Sequence, residues 1–159
     1  MLSPSPLLIP FPEMPEIAGV TKRVAKAHYK EWDRCDLTYI ELDEGTSVAG
    51  VTTRNICCSS EVELCRDNLT GGSARALVVN AGNSNAFTGY RGREAVEAIT
   101  RQVAAHIGCA ENEIFVSSTG VIGVPLPKDK VNTKKKSLII CSTNTKREEH
   151  QIQTYCATV

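Results

Sequence analysis

Residues 75–123 read RALVVNAGNSNAFTGYRGREAVEAITRQVAAHIGCAENEIFVSSTGVIG, and they constrain the fold more than any other part of the chain. Two apolar strands each run into a polar, glycine-containing turn, with a helix between them. The first, Arg75 to Asn80, carries the unbroken apolar run ALVV, a pattern expected of a strand buried on both faces. The helix is expected over Arg93 to Ile107, because Val96, Ile99, Val103 and Ile107 recur at steps of three and four and form one apolar stripe. Gly108 is placed to end it in the left-handed conformation. The second strand, Glu113 to Ser117, runs into Ser117-Ser118-Thr119-Gly120-Val121-Ile122-Gly123, and Pro125 and Pro127 stop regular structure beyond it. Strand, helix and strand in this order predict an α/β fold, in layers of α/β or α+β type.

The rest of the core is expected to be built around this unit. Residues 17–34 mix Ile17, Val20 and Val24 with many charges, and fit a short strand and loop as well as a helix. Leu37 to Leu42 (LTYIEL) is rich in β-formers. Asp43-Glu44-Gly45 is turn chemistry, so Thr46 to Thr53 (TSVAGVTT) is read as the returning strand of a hairpin. Ser60 and Glu63 stand three apart and predict a capping box opening a short helix to about Asn68, with Gly71-Gly72 closing it.

The two ends differ from this middle. Residues 1–16 hold five prolines and read as an extended arm. In residues 131–159 the periodicity is lost, and five basic against two acidic side chains reverse the charge balance of residues 1–130. A tail of different origin, truncated or frameshifted, is the expectation there; a solvated native tail is the alternative. The predicted organisation is therefore an arm (1–16), one folded region (17–130) and a tail (131–159).

Bulk properties exclude several functions. Lys+Arg and Asp+Glu are equal at 18 each, so the whole chain carries no electrostatic footprint for nucleic acid or an anionic membrane. Lys134-Lys135-Lys136 reads as a solvated run. No stretch approaches the roughly 20 apolar residues of a membrane span. Seven cysteines, with no C-x-x-C pair and no zinc spacing, point to reduced thiols, a cytoplasmic setting and no metal site. Neither G-x-G-x-x-G nor G-x-x-x-x-G-K-[ST] occurs, which removes the familiar nucleotide cradles.

Three groups of residues remain as candidates for chemistry. In Thr119-Gly120 a hydroxyl and a flexible backbone N–H stand side by side, the kind of donors that stabilise an oxyanion in acyl transfer. Gly permits the backbone geometry and the close approach that such a site needs. The same residues also suit an ordinary turn. Asn80, Asn83 and Asn85 make the first turn dense in amides, able to line a polar substrate pocket or simply to build a structural loop. His106 and Cys109, three apart at a helix end, are a weaker Cys/His pair without an orienting third group.

Three segments carry a family resemblance: DEGTSVAGVTTRN (43–55), GGSARALVVNAGNSNAFTG (71–89) and IFVSSTGVIGVPLPKDK (114–130). Together they resemble the N-terminal, α-subunit part of the ornithine acetyltransferases, the bifunctional glutamate N-acetyltransferases of arginine biosynthesis. The resemblance covers roughly residues 13–130. It implies a layered α/β sandwich whose core and active site are shared with a β-subunit, in an αβ heterotetramer. It implies acetyl transfer from N-acetylornithine to glutamate by an N-terminal threonine of the β-subunit, freed by self-cleavage, whose own amine acts as base. No dissociable cofactor is implied, although acetyl-CoA serves some members as co-substrate. The family's S-T-G motif falls on Ser118-Thr119-Gly120, which assigns the oxyanion hole to Thr119 through its hydroxyl and Gly120 through its N–H. The family's T-T-D segment, Gly-rich segment and A-T-M-L cleavage site have no counterpart here. The Ala157-Thr158 pair lacks their context, so no nucleophile is assigned. The expectation is a chain inactive on its own; a non-catalytic remnant or small-molecule-binding module is the alternative.

Overall fold

The computed structural model describes residues 15–127. The proline-rich arm, apart from Pro15 and Glu16, and the whole of 131–159 lie outside the described residues, as do His150, the lysine run, Cys141 and Cys156.

The fold is mixed α/β. Strand β1 (Val20–Ala25) pairs antiparallel with β2 (Leu37–Leu42), β2 pairs antiparallel with β3 (Ala76–Asn83), and β3 pairs parallel with β4 (Ile114–Val121), giving a four-stranded sheet in the order β1-β2-β3-β4. Helix α1 (Ser60–Asn68) precedes β3, and helix α2 (Gly89–Ile107) forms the crossover between β3 and β4. A parallel pair needs such a crossover, since a tight turn cannot bring the chain back in the same direction.

Helix α2 follows the predicted stripe. Val96, Ile99 and Val103 are buried against Val78, Ile114, Val116, Leu37 and Tyr39 of the sheet, and Ile107 packs at the margin of this core. Gly108 ends the helix at φ 82°, and its N–H bonds the carbonyl of Ala104. The helix starts a turn earlier than the stripe does, at Gly89. Along β3 burial alternates, with Ala76 and Val78 buried and Leu77 and Val79 half-buried. The ALVV run therefore packs one face on the helices, whereas burial of both faces was expected.

Two expectations are corrected. The partner of Leu37–Leu42 is β1, not Thr46–Thr53, which contributes only the isolated bridge Ser47–Ser73. β2 is a central strand, with β1 on one edge and β3 on the other, so no edge remains for a returning strand. The capping box is absent too. Ser59, not Ser60, occupies the N-cap and makes no side-chain cap bond. Glu63 turns away to an ion pair with Arg93 of α2 (2.6 Å). Ser60→Ala is accordingly expected to change stability by less than ~0.5 kcal/mol, not the ~1 kcal/mol of a lost cap. A urea unfolding curve checks it.

Candidate functional site

The site forms where β3 and β4 end side by side. Parallel register sets Asn80 opposite Ser118, Ala81 opposite Thr119 and Gly82 opposite Gly120. The pairing then slips at Gly82/Asn83, so that Asn83 faces both Thr119 and Val121. Such a bulge bends the strand and re-aims the side chains beyond it.

Gly120 is required by this crossing. Its φ is 131°, and a Cβ there would lie 2.6 Å from Asn83 N and closer still to the Gly82 carbonyl carbon. The two glycines let the strands touch backbone to backbone. Alternation along β4 turns Ser118 toward α1 and Thr119 to the opposite face. Thr119 and Gly120 are both exposed, and among the described residues no hydrogen bond engages the Thr119 hydroxyl. A free hydroxyl therefore stands beside a glycine whose position is fixed from behind. This arrangement can present donors to a carbonyl oxygen.

The three asparagines are all buried, at 1–3 % exposure, and their amides hold the scaffold. Asn80 Nδ2 donates to the Asn83 carbonyl (2.9 Å). Asn83 Nδ2 donates to the carbonyl of Val124 (2.7 Å), and Asn83 Oδ1 accepts the N–H of Asn85 (2.8 Å). Asn85, at φ 52°, donates through Nδ2 to the Gly92 carbonyl (3.1 Å) and accepts from Thr88 Oγ1 (3.0 Å) and Leu126 N (3.3 Å). This network ties the start of α2 and the segment after β4 to the β3 turn, and so frames Thr119-Gly120. A cleft of about 270 Å³ opens beside it, with Ser59, Ser60, Asn85, Phe87 and Thr88 among its walls; Thr119 and Gly120 do not line it.

Among the described residues no hydrogen bond joins His106 to Cys109. His106 is exposed, while Cys109 packs at the core margin, where burial first and Glu113 second push its thiol up. Burial likewise pushes up the Cys65 thiol, which donates to the Val116 carbonyl (3.3 Å). Neither has the lowered pKa of an activated nucleophile. Among the described residues no group of three or more His, Cys, Asp or Glu gathers to hold a metal, and no helix is long and apolar enough to cross a membrane.

The model of the ArgJ family matches residues 21–156. The chain belongs to the ArgJ family. Among its curated ArgJ-family relatives, the arginine biosynthesis bifunctional protein ArgJ of Zymomonas mobilis is 61 % identical over 116 residues, 73 % of this chain and 28 % of the relative. The Bradyrhizobium diazoefficiens ArgJ is 52 % identical over 120 residues, 75 % of this chain and 29 % of the relative. The chain thus spans less than a third of the length of these curated ArgJ proteins. Two solved structures share the fold. The ArgJ crystal structure from Bacillus halodurans has a TM-score of 0.69 at 29 % identity, over 74 % of this chain and 61 % of that one. The Mycobacterium tuberculosis ornithine acetyltransferase, solved in complex with ornithine, also has a TM-score of 0.69, at 33 % identity over 73 % of this chain and 63 % of that one.

One residue of this candidate site is not visible in the sequence. Glu61, in the first turn of α1, is 3 % exposed, and its Oε1 accepts the Ser118 hydroxyl (2.6 Å). An acid at a helix start reads as a complement to the helix dipole. Only the packing of α1 on β4 reveals that it is buried behind the strand that carries Thr119.

Proposed function

We propose that this chain is the α-part of an acetyltransferase that moves acetyl from N-acetylornithine to glutamate. In this reading Thr119, through its hydroxyl, and Gly120, through its N–H, form the oxyanion hole. The observation that carries it is the exposed Thr119-Gly120 pair, rigidly backed by the Gly82–Gly120 crossing. Acetyl transfer passes through a tetrahedral oxyanion, and donors fixed in advance at that oxygen need no reorganisation as its charge develops. Asn80, Asn83 and Asn85 serve as the frame of the hole, and a cytoplasmic setting suits this metabolism. The nucleophile is a threonine of a separate β-part, which joins the α-part in the assembly. No dissociable cofactor enters this scheme; acetyl-CoA is a second possible acetyl donor.

Relatives named for arginine biosynthesis and a fold neighbour holding ornithine support this choice of substrate class. The test is to purify the 159-residue chain alone and together with a separately expressed C-terminal part of the Zymomonas mobilis relative, and to follow ornithine release from N-acetylornithine in the presence of glutamate. Silence of the chain alone and turnover by the pair are expected. Turnover by the chain alone contradicts the assignment of the nucleophile to another part. Silence of the pair, with N-acetylornithine still bound by the chain, favours a non-catalytic binding module.

A further inference from the structure

We propose that Glu61 is a positioning residue for the Thr119–Gly120 donor pair and acts on it through the Ser118 hydroxyl. The catalytic consequence rests on the acetyltransferase reading above, whereas the positioning itself does not.

Ser118 directly precedes Thr119, and it sits two rungs before Gly82–Gly120, the rung after which the pairing of β3 and β4 slips. Directly beyond Gly120 the ladder loses its register, so the end of β4 that carries Thr119 and Gly120 is held regularly from one side only and gains from a restraint of another kind. The Ser118 hydroxyl supplies it. Its single hydrogen has two acceptors, Glu61 Oε1 and Asn80 Oδ1, each 2.6 Å away. That one hydrogen is shared between them, so the hydroxyl links residue 118 to α1 and to β3 through a single bifurcated or alternating bond. Asn80 extends the tether to the bulge, because its amide also holds the Asn83 carbonyl (2.9 Å).

Glu61 is costly for the fold. Its carboxyl is buried, it has no ion-pair partner among the described residues, and its Oε2 finds no hydrogen-bond partner among them. Isolated acids are seldom retained in such surroundings. Support for α1 alone does not account for the placement: an acid complements a helix N-terminus equally well from an exposed position, as Glu63 in the same turn does. What Glu61 alone provides is a bridge from α1 to the residue before the donor pair.

The experiment uses the full 159-residue chain, labelled with ¹⁵N, as wild type, Glu61→Ala, Glu61→Gln and Ser118→Ala. Glu61→Ala and Ser118→Ala are expected to move the Thr119 and Gly120 amide resonances and to speed their hydrogen exchange about tenfold or more, beyond any change at the core amides of β3. Glu61→Gln keeps an acceptor for Ser118 and is expected to restore the wild-type positions. Thr119 and Gly120 amides that stay in place in Ser118→Ala, or changes confined to α1 in Glu61→Ala, overturn the proposal. If Glu61→Ala fails to fold, Glu61→Gln and Ser118→Ala still decide it. In the pair reconstituted with the C-terminal part, both alanine variants are expected to lower kcat at least tenfold with KM within about twofold, and to be non-additive in the double variant. An unchanged kcat in both overturns the catalytic consequence. A wild-type pair without turnover counts against the acetyltransferase reading, and the amide measurements then judge the positioning by themselves.

Discussion

Gly120→Ala is expected to lower kcat of the reconstituted pair by at least about 100-fold and to cost about 1–3 kcal/mol of stability. Both effects have one origin. The added Cβ would lie 2.6 Å from Asn83 N, against backbone that cannot rotate aside as a side chain can, and the φ of 131° belongs to a region that L-residues rarely adopt. The strands must part, and the Gly120 N–H moves with them. A displacement near 1 Å in a reacting geometry is worth about two powers of ten in rate. Thr119→Ala is the matched control. It removes the exposed hydroxyl and introduces no clash, so stability should hold within ~0.5 kcal/mol, while loss of one oxyanion donor costs about 10²–10³ in kcat. Steady-state kinetics and urea unfolding on both variants separate the cases. A folded Gly120→Ala protein with full activity would remove Gly120 from the hole.

The parts of the fold that were legible in the sequence are those set by local pattern. The β3–α2–β4 unit was visible because Val96, Ile99 and Val103 keep helical spacing between two apolar runs. The start of α2 was not, because Gly89, Tyr90, Arg91 and Gly92 carry no stripe. They are held as helix by the Asn85 bond to the Gly92 carbonyl, a contact made across the turn. The partner of β2 is hidden in the sequence for a related reason. Thr46–Thr53 has the composition of a strand, but sheet position depends on which edges are free, and β1 and β3 occupy both edges of β2. At the site, the adjacency of a hydroxyl and a flexible N–H at Thr119-Gly120 is readable from residue type. The burial of Glu61 was not, since it follows from packing between elements more than fifty residues apart in the chain.

Asp36→Ala is expected to destabilise the chain by about 2–4 kcal/mol, a large part of the 5–15 kcal/mol of an ordinary domain. Asp36 is 2 % exposed, and its two carboxylate oxygens accept the N–H groups of Ala27 (2.5 Å) and Tyr29 (2.7 Å). Removing the side chain leaves two buried donors with no acceptor. Hydrogen bonds to a charged group contribute about 1.5–3 kcal/mol each, and unsatisfied buried groups cost about 1–3 kcal/mol. Asp36→Asn keeps one acceptor oxygen and should lose about half as much. The position matters beyond stability, because Asp36 also accepts the N–H of Ala81 through its carbonyl (2.9 Å) and thereby fastens the 26–35 loop to the end of β3. Tyr29, Lys30 and Trp32 of that loop lie against Gly82, the residue opposite Gly120. The two variants should therefore fail differently. Asp36→Ala lowers activity mainly through the folded fraction and recovers at low temperature or in stabilising osmolyte, whereas Gly120→Ala stays slow even when fully folded. An unfolding free energy from urea for Asp36→Ala within about 0.5 kcal/mol of wild type would mean that the Ala27 and Tyr29 N–H groups reach water. The loop would then not be the fixed backing of Gly82.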